Sequence, residues 1–241
     1  MRTLVIGDIH GAYLPLMQAL DRARISPLDT LIFLGDYVDG WSQSPEVIEY
    51  LINLRSSYNC IFLRGNHDDL CLNWLNTQQH NSLWLKNGGQ STIEAYKRIT
   101  QPTLQHHQSF LETLPSYHLD SENRLFVHAG FTNLNGVNFE YFPEMLYWDR
   151  TLWEMAMALN PRMSPKDPAY PKRLLIYNEI FIGHTPTTRM GITIPMNAAN
   201  VWNIDTGAAY KGPVTVMNVE TKEFWQSDDA YTFYPNENGR N

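Results

Sequence analysis

Three short polar strings interrupt the N-terminal third of the chain at nearly even intervals: Gly7-Asp8-Ile9-His10-Gly11, Gly35-Asp36-Tyr37-Val38-Asp39-Gly40 and Arg64-Gly65-Asn66-His67-Asp68. Each follows an apolar, strand-like run (Thr3 to Ile6, Leu31 to Leu34, Cys60 to Leu63) and precedes a segment that reads as helix. From Asp8 to Asp36 is 28 residues and from Asp36 to Asn66 is 30, about the length of a βαβ unit. A chain punctuated in this way is expected to lay down parallel strands joined by helical crossovers. All three loops then reach the same carboxyl-terminal sheet edge, where open α/β sheets place their ligands. Asp8, His10, Asp36, Asn66 and His67 converge there, an oxygen and imidazole set suited to divalent cations.

Four later strings follow further strand-like or helical runs: Val127-His128-Ala129-Gly130, Trp148-Asp149-Arg150, Gly183-His184-Thr185-Pro186 and Asp205-Thr206-Gly207. Leu14, Leu16, Met17, Leu20 and Ala23 share a helical face. Pro45 opens a second helix, with Ser44 as its expected N-cap. Leu70 to Leu114 reads as helical, broken at Asn87-Gly88-Gly89 and Pro102. A hairpin over Tyr117 to Val127 delivers His128, and Ile180 to Ile182 delivers His184. Strands that alternate with helices and then form hairpins predict two sheets packed face to face with helices outside. One domain over 1–226 is expected, with 227–241 as a polar C-terminal tail that frays.

Composition narrows the partners. A net charge of −7 over 241 residues argues against an electrostatically driven nucleic-acid binder, which would show a basic stripe. The apolar stretch Leu4 to Ile6 ends at once in Gly7-Asp8, far short of a signal-peptide core or a membrane span. Cys60 and Cys71 lie in apolar strand-like and helix-like runs and read as unpaired core thiols. A cytoplasmic protein without nucleic-acid or membrane partners is expected. Oligomeric state is not encoded in any recognisable pattern.

Taken together, the ordered strings resemble the calcineurin-like metallophosphoesterase superfamily, and within it the bacterial and phage-type serine/threonine protein phosphatases. The match runs from about residue 3 to 226. It implies an α/β fold, a four-layer αββα sandwich of two mixed sheets with flanking helices. It also implies two divalent metal ions, Mn²⁺ first, with Fe or Zn²⁺ as alternatives. Asp8, His10 and Asp36 resemble the ligands of one metal; Asp36, Asn66, His128 and His184 resemble those of the other, with Asp36 bridging. His67 resembles the general acid, oriented by Asp39, and Arg64 and Arg150 resemble guanidinium clamps on the substrate phosphate. The implied reaction is hydrolysis of phosphomonoesters by a metal-bridging hydroxide, on a phosphorylated protein or a small phosphoester. Symmetrical dinucleoside tetraphosphate hydrolysis is the alternative.

Two positions depart from that pattern, Gly40 and Asp68, while Pro186 places the chain with the protein-phosphatase and symmetrical tetraphosphatase branches. Gly40 stands where these phosphatases carry an Arg after the Asp, whereas the symmetrical tetraphosphatases keep the Arg and replace the Asp corresponding to Asp39 by Ala. Asp68 stands where protein phosphatases more often have Glu. Pro186 replaces the second His of the GHxH string found in nuclease branches. The basic, proline-rich segment 160–173, with Arg162, Lys166, Lys172 and Arg173, is a candidate to replace the charge lost at Gly40. The aromatics Phe139, Tyr141, Phe142, Tyr147, Trp148 and Trp153 are candidates for a substrate wall or for core packing.

Overall fold

The computed structural model describes residues 1–240. In chain order the elements are β1 (Thr3–Ile6), α1 (Tyr13–Ala23), β2 (Thr30–Phe33), α2 (Ser44–Leu54), β3 (Asn59–Phe62) and α3 (Asn66–Thr77). Next come α4 (Ser82–Trp84), α5 (Gln90–Tyr96), α6 (Gln101–Glu112), β4 (Tyr117–Leu119), β5 (Arg124–Val127), α7 (Met145–Trp148) and α8 (Thr151–Ala158). The chain closes its sheets with β6 (Glu179–Ile182), β7 (Met196–Ala198), β8 (Val201–Asn203), β9 (Thr215–Asn218) and β10 (Phe224–Gln226).

These strands form two five-stranded sheets, ordered β10-β9-β1-β2-β3 and β4-β5-β6-β8-β7. Strands β1, β2 and β3 run parallel, as do β5, β6 and β8, and the remaining strands are antiparallel additions. The period of two along each strand decides the layers. In β1, Val5 faces the opposing sheet while Leu4 and Ile6 face helices; in β5, Phe126 faces inward and Leu125 and Val127 outward. Phe181 of β6 is the inward residue between Ile180 and Ile182, and its ring stacks on Phe126 at 5.0 Å. Helices α1, α2, α3 and α6 cover one outer face, and α8 packs on the other. The expected αββα sandwich of two mixed sheets is therefore the observed architecture. Strands buried on both faces explain why β1 and β2 read as continuous apolar runs.

Two local expectations change. Ser44 does not cap α2, whose N-cap is Gln43; its hydroxyl instead accepts from the Asp39 backbone N–H at 3.2 Å. Residues 227–240 do not fray: Tyr234 stacks on Trp41 at 5.0 Å, and Ala230 and Tyr234 are buried. The aromatic side chains among polar neighbours give this segment enough apolar surface to dock. Cys60 and Cys71 are both free, as expected. Among the described residues, no helix is long and apolar enough to cross a membrane.

Candidate active site

Six parallel strands end on one side of the sandwich, and each places a polar residue within four positions of its end: Asp8, Asp36, Asn66, His128, His184 and Asp205. The backbone there is unusual. His10, Asp36, Asp39 and His184 all adopt left-handed φ values, between 53 and 72°, at about 1–2 kcal/mol each for a residue with a Cβ. Such conformations persist only where surrounding contacts fix them, and they cluster at functional sites.

The fixing contacts are visible. Asp68 uses both carboxylate oxygens to accept backbone N–H groups of Asp36, Tyr37 and Gly65, each at 2.8 Å. One side chain thus ties the loop after β2 to the loop after β3. Gly65 makes that approach possible, because a Cβ there would lie 2.2 Å from the Asp36 backbone nitrogen. Burial, aided by Asp36, pushes the Asp68 carboxyl up to about 7. From sequence Asp68 reads only as a variant letter; its alignment three residues into α3, reaching back to the N-cap, is the signal for its role.

Two donor sets meet in this pocket. Asp8, His10 and Asp36 offer ligand atoms within 4.8 Å of one another, and so do Asp36, His128 and His184. Asp36 Oδ2 lies 3.4 Å from both His10 Nε2 and His128 Nε2, so one oxygen is common to both sets. Its other oxygen accepts the His67 backbone N–H at 2.9 Å. His10 Nδ1 lies 3.1 Å from the Val38 carbonyl and His128 Nδ1 lies 2.9 Å from that of Leu34. Donation to those carbonyls leaves the Nε2 lone pairs facing the Asp36 carboxylate. Asn66 Oδ1 sits 3.1 Å from His128 Nε2 and 2.8 Å from His184 Nδ1.

Electron-pair donors turned toward one another repel unless a proton or cation lies between them. Burial, with Asp205 and Asp36 nearby, drives the Asp8 carboxyl well above the usual range. Burial likewise holds His10 and His184 well below the usual imidazole value. The buried His184 Nε2 has no hydrogen-bond partner. Among the described residues no lysine or arginine pairs with Asp8, Asp36 or Asp205. These residues fit a pair of divalent cations; thiolate is absent from both sets, and mixed imidazole and carboxylate donors suit Mn²⁺, Fe or Zn²⁺.

Beside this floor stands a buried histidine–carboxylate contact. His67 Nδ1 lies 2.5 Å from Asp39 Oδ2, and both residues are buried. The same oxygen accepts the Trp84 indole N–H at 2.5 Å, and Asp39 Oδ1 accepts the Thr92 hydroxyl at 2.7 Å. Sequence reasoning missed Trp84 and Thr92. They come from α4 and α5, across the Asn87-Gly88-Gly89 break, and no local pattern links them to Asp39.

A cavity of about 280 Å³ opens over these groups, lined by His10, Asn66, His67, His184 and Asp205 and rimmed by Arg150, Arg189 and Arg240. Arg150 is in place, with its guanidinium on Thr185 Oγ1 at 2.9 Å. Arg64 is not. Its guanidinium is occupied by Asp69 at 3.1 Å and by the Leu111 and Glu112 carbonyls at the end of α6, outside the cavity lining. The basic segment 160–173 also lies elsewhere, and its Arg173 bonds the Phe131 carbonyl and Thr151. Of the six candidate wall aromatics only Trp148 lines the cavity; Phe139, Tyr141 and Phe142 are exposed and Trp153 is core. Neither Arg189 nor Arg240 carried a sequence signal, since a long side chain can reach a site from any neighbouring loop.

A two-sheet sandwich whose strand ends gather two overlapping Asp/His/Asn donor sets, with a buried His–Asp pair beside them, is suited to metal-dependent hydrolysis. The sequence profile of the calcineurin-like phosphoesterase family matches residues 1–208, and the chain belongs to that family. It is 29% identical over 222 residues to serine/threonine-protein phosphatase 1 of Salmonella typhimurium, covering 90% of this chain and 91% of that one. It is 26% identical over 238 residues to the asymmetrical bis(5′-nucleosyl)-tetraphosphatase PrpE of Halalkalibacterium halodurans, covering 91% of each. The fold of a protein serine/threonine phosphatase from Saccharomyces cerevisiae superposes with a TM-score of 0.59 at 17% identity, over 95% of this chain and 80% of that one. The chain is thus a hydrolase acting on phosphoesters.

Proposed function

We propose that the protein is a dinuclear-metal phosphomonoesterase acting on phosphoserine and phosphothreonine in proteins, with manganese as the working metal. Asp8, His10 and Asp36 would hold one cation, and Asp36, Asn66, His128 and His184 the other. When bound, the two cations supply Lewis acidity toward the phosphoryl oxygens and toward water. The chain's own residues do the rest. His67 presents Nε2 toward the cavity while Asp39 holds its Nδ1–H, so an imidazolium there can protonate a departing alkoxide. Trp84 and Thr92 hold Asp39 in turn and keep the imidazole from rotating. Arg150 balances the charge of the phosphate dianion through a fork of N–H donors. The two free thiols fit a reducing cytoplasm, and the net charge of −7 fits a protein or small-molecule substrate.

The observation that carries this reading is the His67–Asp39 contact at 2.5 Å, reinforced by Trp84. A serine alkoxide is a poor leaving group and needs a strengthened acid; a nucleotide leaves more readily and needs it less. Trp148 and Tyr210 on the cavity wall support a second reading, in which a dinucleoside tetraphosphate stacks a base there. The kcat/KM of the manganese-loaded protein for a phosphoserine peptide and for diadenosine tetraphosphate, in one buffer, separates them. The proposal expects preference for the peptide. Preference for the dinucleotide establishes the second reading, and poor turnover of both points to a small phosphomonoester.

A further inference from the structure

We infer that Arg240 is the phosphate-binding guanidinium that occupies the space opened by Gly40, delivered by a segment nearly 200 residues further along the chain. The packing brings the two positions side by side. A Cβ at Gly40 would lie 3.4 Å from Arg240 Cγ, and one at Gly88 would lie 2.8 Å from the same atom. The Arg240 stem therefore runs past both glycines: a Cβ at Gly88 would displace it, and one at Gly40 would touch it. Gly40 and Gly88 are themselves joined, Gly40 N–H donating to the Gly88 carbonyl at 3.2 Å.

The segment that carries Arg240 is held on the residues directly after Gly40. Tyr234 stacks on Trp41. Glu237 accepts from the Ser42 N–H at 2.9 Å and from its hydroxyl at 2.7 Å. Gly239 lies against the Trp41 ring with φ +63°, and Arg240 N–H donates to the Ala209 carbonyl at 2.7 Å. At the end of this anchored path the guanidinium lies over the Tyr210 ring, 5.4 Å from its centroid, on the rim of the same cavity as His67 and Arg150.

Among the described residues, Arg240 has no ion-pair partner and its buried Nε has no hydrogen-bond partner. An arginine fixed at the backbone and stem, with its donors unclaimed at the mouth of a site, is prepared for an anion with two or more oxygens. The ligand is the substrate's phosphoryl dianion, or inorganic phosphate as product.

This assignment rests on the phosphoesterase reading above, and the test separates the two. Calorimetry measures inorganic phosphate binding to the manganese-loaded wild type and to Arg240→Met and Arg240→Lys; turnover of a nitrophenyl phosphate is followed in parallel. Methionine keeps the stem between Gly40 and Gly88 while removing the charge. Phosphate is expected to bind about tenfold or more weakly to Arg240→Met, with Arg240→Lys intermediate, and KM rises in step. Added guanidinium restores part of the loss. Phosphate affinity within twofold of wild type in a folded, metal-replete Arg240→Met overturns the assignment. A wild type that binds phosphate through Arg240 yet hydrolyses no phosphoester overturns the functional reading and leaves Arg240 as the anion site.

Discussion

The floor and the rim of the cavity are built on different principles. Every floor residue sits within four positions of its own strand end, and its short side chain goes where that strand points it. The rim arginines come from the start of α8, from the loop after β6 and from the segment beyond β10. Their long stems cover the distance. A short carboxylate or imidazole is positioned by backbone geometry, so its place is legible from local sequence. An arginine is positioned by whatever channel the fold leaves for its stem, and that channel is a tertiary fact.

The sharpest way to break this comparison is at the floor. Asp36→Asn removes the oxygen common to both donor sets, and kcat is expected to fall about 10³-fold or more. That exceeds the 10- to 100-fold typical of losing a supporting partner. Metal analysis of the purified variant should show fewer than two ions bound; full occupancy would contradict the shared role of Asp36.

Next in size is the acid beside the floor. His67→Gln is expected to cost about 10³-fold on a serine phosphate, within the range for general acids, and under about tenfold on a nitrophenyl phosphate, whose phenolate needs no proton. Equal losses on both substrates would remove His67 from that role.

At the rim, Arg64 should behave as structure. Arg64→Met is expected to leave kcat/KM within about twofold while lowering stability by about 1–2 kcal/mol, because its donors serve Asp69 and the α6 carbonyls. For a chain of this length that is about 2–8 °C in Tm. A large rise in KM with unchanged Tm would return Arg64 to the substrate.

The smallest effect lies outside both regions and calibrates them. The Arg2 hydrogen bond holds the Asp29 carboxyl below its usual value. The stabilisation is therefore present above the unfolded carboxylate pKa of about 3.9 and is lost as pH falls through the depressed folded value. Arg2 is 32% exposed, so about 1 kcal/mol at pH 7 is expected after screening. Denaturation of wild type and Asp29→Asn should differ by that amount at neutral pH and converge in strong acid.

How much of this was readable beforehand follows the same division. The two sheets, the strand ends and the six donor residues were legible, because apolar runs ending in Gly-Asp or His-Ala-Gly strings report both the strand and the point where it stops. The His67–Asp39 pair was legible as a pairing, but the Trp84 and Thr92 that hold it were not, since they are brought in by helix packing across a glycine break. Arg64 shows the opposite limit: its position beside Gly65-Asn66-His67 is close to the site in sequence, but its guanidinium bonds Asp69 and two carbonyls outside the cavity lining. The departure at Gly40 was visible, and segment 160–173 was the nearest basic stretch in view. Nothing in the letters 227–240 says that they return to Trp41.

The three backbone bonds gathered by Asp68 carry a consequence for handling the protein. Because that carboxylate joins two loops without itself belonging to either donor set, the site owes its shape to the chain's own hydrogen bonds and not to its guests. The apo protein should therefore keep its loops ordered, and chelation should proceed without unfolding. Swapping one metal for another then becomes a simple exchange, with little conformational entropy lost at each binding event.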